Sequence, residues 1–277
     1  QLRDQMYDAP FYRLIHAEAD GLPGVVIDRF GDTAVIQANA AWADVHIDAL
    51  TAALVAQTGV RHVLKNAAGR TRSLEGLDDV SGVLHGDAPS AAVPVPMNGA
   101  TYMADLTGGQ KTGLFYDQRP NHAFAANLSK GKRVLDVFAH VGGFSLAALA
   151  NGASSAVAVD GSAPALELAQ QGADAMGVSD RFATRQGDAA FAPGKPALEA
   201  GLRAYERVAR LAAQLVAENG VLGLCSCSHA ADLTQFRTAS VRGIGRAGRR
   251  AALLHTGFAG PDHPQLPQLA ETGYLKS

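Results

Sequence analysis

Residues 133–150 constrain this chain more than any other stretch. Arg133, Val134, Leu135, Asp136, Val137 and Phe138 make a short apolar run that carries one acid. Ala139, His140, Val141, Gly142 and Gly143 interrupt the run, and residues 144–150, beginning Phe144-Ser145, resume as a helix. A buried strand that feeds a glycine turn and a helix N-terminus is an arrangement that binds nucleotides. Glycine lets the backbone approach a ligand closely, and the helix start offers free N–H groups. An ordinary βα loop can look the same, so the following elements matter.

Residues 156–160 read as a second strand ending in Asp160, and Gly161-Ser162 then opens a helix. A carboxylate at that place can accept both hydroxyls of a ribose. Residues 181–186 are the region of the third strand, followed by Gly187, Asp188 and Ala189. A polar residue there meets an adenine amino group. Acids after successive strands suit an adenosyl ligand better than a pyrophosphate. Asp136, just before the glycines, would repel a diphosphate but welcome a sulfonium-bearing amino acid. The expected cofactor is therefore S-adenosylmethionine, with NAD as the alternative.

With 47% hydrophobic and 18% charged residues, the chain has material for a core and is unlike a disordered sequence. Its 277 residues leave room for one large or two ordinary domains. The formal net charge of −2 gives no global positive field. A nucleic-acid substrate would have to be held by a local basic patch. No apolar run approaches the ~20 residues that span a membrane, and Gln1-Leu2-Arg3-Asp4 does not resemble a signal peptide. Cys225 and Cys227, two residues apart, suit reduced thiols in a cytoplasmic protein better than a disulfide.

Two units are expected, residues 1–96 and 97–277, in an α/β fold: a small α/β domain followed by a doubly wound, Rossmann-like sheet. In the first, residues 24–28 and 33–37 read as a hairpin around Gly31-Asp32. Val45, Leu50, Leu54 and Val55 lie at helical spacing, which predicts one amphipathic helix over 43–57. Residues 60–65 should return as a strand, and the proline-bearing stretch 89–96 is the natural linker. Residues 100–106 suggest one strand of a hairpin, the glycine-rich 108–113 follows, and 117–129 a helix. Strands and helices alternate from Arg133 onward, which implies a mainly parallel sheet.

Residues 220–228 read as another strand, on which Cys225 and Cys227 face one side. Cys227 is nearer the carboxyl end, where ligands collect in open α/β sheets, so it is the better nucleophile candidate. Cys225 is expected deeper, in the core. Two cysteines and His229 are too few to argue a zinc site, and His229 reads as a local polar group.

The run from Tyr12 to Gly24, the Gly109-Gln110-Lys111-Thr112-Gly113 segment and the Asp117-Gln118-Arg119 triplet together resemble bacterial large-subunit rRNA cytosine-C5 methyltransferases. Residues 136–145 resemble that family's cofactor motif, Cys225-Ser226-Cys227-Ser228 its nucleophile motif, and Asp262-His263-Pro264 its late loop. The resemblance implies a methyltransferase sheet that binds S-adenosylmethionine through Asp117, Arg119, Asp136, Phe138, Ala139, Gly142, Gly143, Phe144, Ser145, Asp160, Gly161, Ser162, Asp188 and Ala189. It also implies catalysis by a Cys227 thiolate that adds to C6 of a cytosine, with 23S rRNA as the partner, no membrane partner, and a homodimer as an admissible assembly. Enzymes of this fold that act on another base, a small molecule or a protein are the alternative. A non-catalytic module that holds S-adenosylmethionine or NAD is a further one.

Two departures from that family stand out. Its members begin with a small RNA-binding domain of the PUA type, so Gln1 is expected at the start of the second domain. They also carry a strand ending in Asp-Pro-Pro, whereas here Gly187-Asp188-Ala189 runs directly into Ala190-Phe191-Ala192. Without that central strand two buried sheet edges would lack partners. Additional residues at this junction, and a mass above 28.7 kDa, are therefore expected.

For substrate contact, Arg237, Arg242, Arg246, Arg249 and Arg250 crowd one segment, and Lys65, Arg70 and Arg72 make a second candidate patch. A solvated helix face explains such a run equally simply.

Overall fold

The computed structural model describes residues 2–108, 113–187, 198–269 and 273–277, with the Arg70 side chain excepted. The amino-terminal sheet contains β1 (Phe11–His16), β2 (Val25–Phe30), β3 (Thr33–Ala38), β4 (His62–Lys65) and β5 (Gly82–His85), in that order. Pairing is antiparallel except between β3 and β4. The predicted hairpin is β2–β3, which pairs Val25 with Ala38 and Phe30 with Thr33 around a left-handed Gly31. β3 is buried at every position, as expected of a central strand covered on both faces.

The single helix predicted over 43–57 is two, α1 (Ala41–Val45) and α2 (Ile47–Thr58). At His46 the backbone N–H and a ring nitrogen both converge on the Trp42 carbonyl, which ends the first helix. Val45 is thereby turned outward at 80% exposure, while Leu54 keeps the core. The short α3 (Arg70–Leu74) precedes β5.

The expected linker is also partly a strand: β6 (Val93–Met97) pairs antiparallel with β7 (Ala100–Ala104). Pro94 and Pro96 fall at alternate, exposed positions, so their missing N–H groups cost the ribbon no bond, while Val95 and Met97 point into the core.

α4 (Arg119–Asn127) leads into β8 (Arg133–Val137), α5 (Gly143–Ala150), β9 (Ser155–Asp160), α6 (Ala163–Ala175) and β10 (Phe182–Gln186). The three strands are parallel in the order β10-β9-β8, which is one half of the doubly wound pattern the sequence implies. α5 and α6 bury small and branched apolar residues against this sheet, and β7 joins the same core through Tyr102 and Ala104. α7 (Leu198–Leu215) and α8 (Leu233–Arg246) pack on each other.

One expected strand does not form. Residues 220–228 make only an isolated bridge between Ser226 and Lys276. The physical reason lies at β8, whose outer edge has no strand beside it among the described residues, so 220–228 has no ladder to join. Leu135, Val137 and Phe138 are accordingly 51%, 43% and 56% exposed.

Candidate active site

The turn after β8 is built by unusual backbone geometry. Phe138 and His140 hold positive φ angles of 62° and 50°, and Gly142 follows at 82°. Non-glycine residues rarely adopt that region, and such outliers concentrate at functional turns. The Ala139 amide donates to Val159 O at 3.1 Å, and the Gly142 amide to Ala139 O at 2.8 Å, which locks the turn onto β9. Gly143 is required by its neighbour, because a Cβ there would lie 2.6 Å from the His122 ring. Tyr102 Oη donates to Gly143 O at 3.0 Å, and the Phe144 ring meets His122 edge-on at 4.5 Å. Burial lowers the His122 pKa to about 4, so a neutral imidazole supports the helix start.

Two carboxylates converge on this turn. Asp136 is buried and accepts the Ser145 amide at 3.0 Å, at the N-terminus of α5. Burial pushes its pKa up to about 6, against the pull of the Ser145 and Phe144 amides. Asp160, at the end of β9, accepts the His140 amide and the Ser162 amide, both at 2.9 Å. Each carboxylate oxygen keeps a second lone-pair direction for a ligand hydroxyl. Ser162 caps α6 by accepting from the Ala165 amide. Beside it Gly161 is open, since a Cβ there would meet only Gly187 O, at 3.8 Å. These residues fit a cationic adenosyl ligand laid over the carboxyl ends of β8 and β9: two acids, an open glycine and a helix start.

The other expected site residues separate. Asp117 is buried and accepts from Tyr274 Oη at 2.6 Å, and its second carboxylate oxygen has no partner. Arg119 instead ties α4 to the first sheet, with its guanidinium donating to Phe11 O and lying 4.1 Å from the Tyr7 ring centre. Asp188, Ala189 and residues 109–112 lie outside the described residues. Tyr102 and His122 buttress the turn but carry no marker in the sequence, because their role exists only once β7 and α4 meet α5.

Cys225 is exposed, not in the core. Its thiol is nevertheless pushed up to about 12, first by desolvation and then by the Asp136 carboxylate. The Asp117 carboxylate acts in the same direction, and a hydrogen bond with Gln118 opposes it. Cys227 is also exposed, and the residues on either side of it are fixed. Ser226 exchanges both backbone hydrogen bonds with Lys276, at 2.9 and 3.0 Å, and its hydroxyl lies 2.6 Å from Tyr205 Oη. Lys276 Nζ donates to Ser228 O at 2.7 Å. His229 packs its ring against Tyr274.

Of the basic candidates, Lys65 and Arg72 are not a phosphate patch. Arg72 is buried against Ala38 O, Asp44 and Asp78, and Lys65 pairs with Asp44 at 2.8 Å. Arg249 donates to the Ala213 and Val216 carbonyls, and Arg237 to Thr256. The late loop holds to the first sheet: Asp262 accepts the Arg13 amide and lies 3.0 Å from His263 Nδ1, and His263 packs on His16.

A sheet with acids at two successive strand ends around a glycine turn is a nucleotide-cofactor site, and comparison with known proteins makes the class specific. The family model for S-adenosylmethionine-dependent methyltransferases matches residues 18–180, and the chain belongs to that family, with S-adenosylmethionine as its cofactor. It is 35% identical over 289 aligned positions to ribosomal RNA large subunit methyltransferase I of Aeromonas hydrophila, which covers 96% of this chain and 73% of the relative. The protein of the same name from Vibrio cholerae is 33% identical over 290 positions, with the same coverage. A Streptococcus mutans SAM-dependent methyltransferase structure superposes with a TM-score of 0.83 at 21% identity, over 99% of this chain and 77% of that one. Trm5b from Pyrococcus abyssi superposes at 0.64 and 14% identity, over 90% and 72%. At these identities the two structures speak for the fold.

Proposed function

We propose that the chain methylates C5 of a cytosine in large-subunit ribosomal RNA, with Cys227 as the nucleophile. The observation that carries this reading is the contrast between two thiols on one segment. Both thiols are exposed, but Cys227 lies between two residues anchored by Lys276 and Tyr205, while the Asp136 and Asp117 carboxylates push the Cys225 thiol up. The relatives named ribosomal RNA large subunit methyltransferase I support an rRNA substrate. In this reading residues 1–96 form one unit and 97–277 the methyltransferase unit, with β6 crossing the boundary to pair with β7 and pack in the second unit's core.

S-adenosylmethionine, when bound, supplies an electrophilic methyl group on a sulfonium. Asp160 would hold the ribose hydroxyls, and the turn from Phe138 to Gly143 would line the amino-acid end. Asp136 would supply the negative charge that faces the cationic ligand. The Cys227 sulfur, as thiolate, would form a bond to C6 and move the C5–C6 electron pair onto C5, which would take the methyl group as the sulfonium–methyl bond breaks and its electron pair stays on sulfur as a neutral thioether. Loss of the C5 proton to a base returns that pair, restores the double bond and expels the thiolate. The base must reach unstacked cytosine, so the target is unpaired or flipped out.

Cys227→Ala tests the mechanism. The expected outcome is methyl transfer to rRNA reduced at least 1,000-fold in order of magnitude, with cofactor binding by calorimetry unchanged. Unchanged transfer would refute the thiol mechanism, and labelling of bulk protein in place of rRNA would refute the substrate.

A further inference from the structure

With a net charge of −2, the chain can hold a polyanion only where its cations are gathered locally. The α7–α8 pair gathers them. On α7, Arg203, Arg207 and Arg210 are spaced by four and three residues and therefore share one face. On α8, Arg242 and Arg246 are spaced by four. The two rows meet because the helices cross unusually closely: a Cβ on Gly243 would lie 2.2 Å from Glu206 O and 2.9 Å from the Ala209 Cβ. A glycine at the crossing thus brings the second row of arginines alongside the first.

The result is a groove of about 660 Å³ lined by Arg203, Glu206, Arg207, Arg210 and Arg246. Its floor acid, Glu206, already pairs with Arg246, and the other nearby acid, Glu199, lies 3.6 Å from Arg203 in an exposed pair. Such an exposed pair contributes little and yields readily to a stronger anion. No acid occurs between Asp232 and Asp262, so α8 brings cations only. The Arg203 and Arg246 side chains are each 71% exposed.

We propose that this groove binds the phosphate backbone of the RNA substrate, with the guanidiniums of Arg203, Arg207 and Arg210 as the principal contacts. The proposal rests on the rRNA reading above and assigns the surface that positions the strand without reading its sequence. Planar, permanently charged guanidiniums suit paired phosphate oxygens better than ammonium groups would.

The test measures binding of a protein-free 23S rRNA transcript by fluorescence anisotropy from 50 to 300 mM salt. The combined R203Q/R207Q/R210Q variant should bind at least tenfold more weakly. The slope of log affinity against log salt should become shallower by about 2, since each lost phosphate contact on a single strand removes about 0.7. Cofactor affinity and methyl transfer at saturating RNA should be unchanged. An unaltered affinity and slope in the variant, against a wild type that binds and methylates the transcript, would overturn the groove assignment alone. A wild type that neither binds nor methylates rRNA would overturn the substrate reading instead. Should the triple variant misfold, R203Q and R207Q singly should each remove about 0.7 of slope.

Discussion

At the scale of single residues, Asp136 shows a conflict between stability and function. Burial raises its pKa from the ordinary carboxylate range to about 6, so the ionised form is disfavoured by the fold. A raised pKa contributes stability at low pH that is lost as pH rises through about 6. At pH 7 the ligand-free protein therefore carries a destabilisation on the order of 3 kcal/mol from this one group. A cationic ligand relieves it. Asp136→Asn should accordingly raise the melting temperature of the ligand-free protein at pH 7 by several degrees, while weakening S-adenosylmethionine binding at least tenfold. Thermal denaturation and calorimetry on the same samples check both halves, and a lower melting temperature would show that the Ser145 bond outweighs the buried charge.

At the scale of elements, the start of α5 is fixed by what packs behind it. Gly143→Ala would drive a methyl group to 2.6 Å from a fully buried imidazole wedged between Tyr102 and Phe144. The expected cost is about 1–3 kcal/mol in denaturant unfolding, with cofactor affinity falling in parallel because the turn moves. Stability equal to wild type would mean that the His122 ring can yield. The strand, turn and acid pattern from Asp136 to Asp160 was legible in the sequence because each feature is local: an apolar run, a glycine pair, a terminal carboxylate. The His122 and Tyr102 supports were not, since nothing in their neighbourhoods distinguishes them from other buried aromatic residues. The thiol segment failed as a strand for a reason of the same kind. Its alternating apolar residues satisfy the period of a strand, but pairing requires a neighbour, and β8 does not extend to it. The prolines of β6 misled in the opposite sense, since a two-stranded ribbon tolerates at its outer positions what a central strand would not.

At the scale of the whole molecule, β8 ends the parallel sheet among the described residues, which departs from a closed α/β core. Exposed Leu135, Val137 and Phe138 sit at a sheet edge that has no neighbouring strand among the described residues, an arrangement that favours association. The alignment with the Aeromonas relative runs to 289 positions against 277 residues here, so that relative has residues with no counterpart in this chain. Because the family it resembles carries a strand at this junction, tandem mass spectrometry of the purified protein should find additional sequence between Gly187 and Leu198. Recovery of the tryptic peptide from Gln186 to Arg203 at the mass of these residues alone would overturn this expectation.

The contact between Asp262 and Arg13 has a bearing on how the molecule is assembled in time. The bond spans 249 positions of the chain, and a second, from Arg3 to the Asp262 carbonyl, spans 259. Closing a flexible loop of that size carries a length-dependent entropy cost of roughly 5 kcal/mol, which no local contact can offset in advance. Both partners must already be ordered, β1 by its own sheet and the late loop by Asp117 and α4, before their meeting is favourable. The contact that joins the two ends of the chain is thus expected to form after both partners are ordered, so a substitution such as Asp262→Ala should act mainly by speeding unfolding.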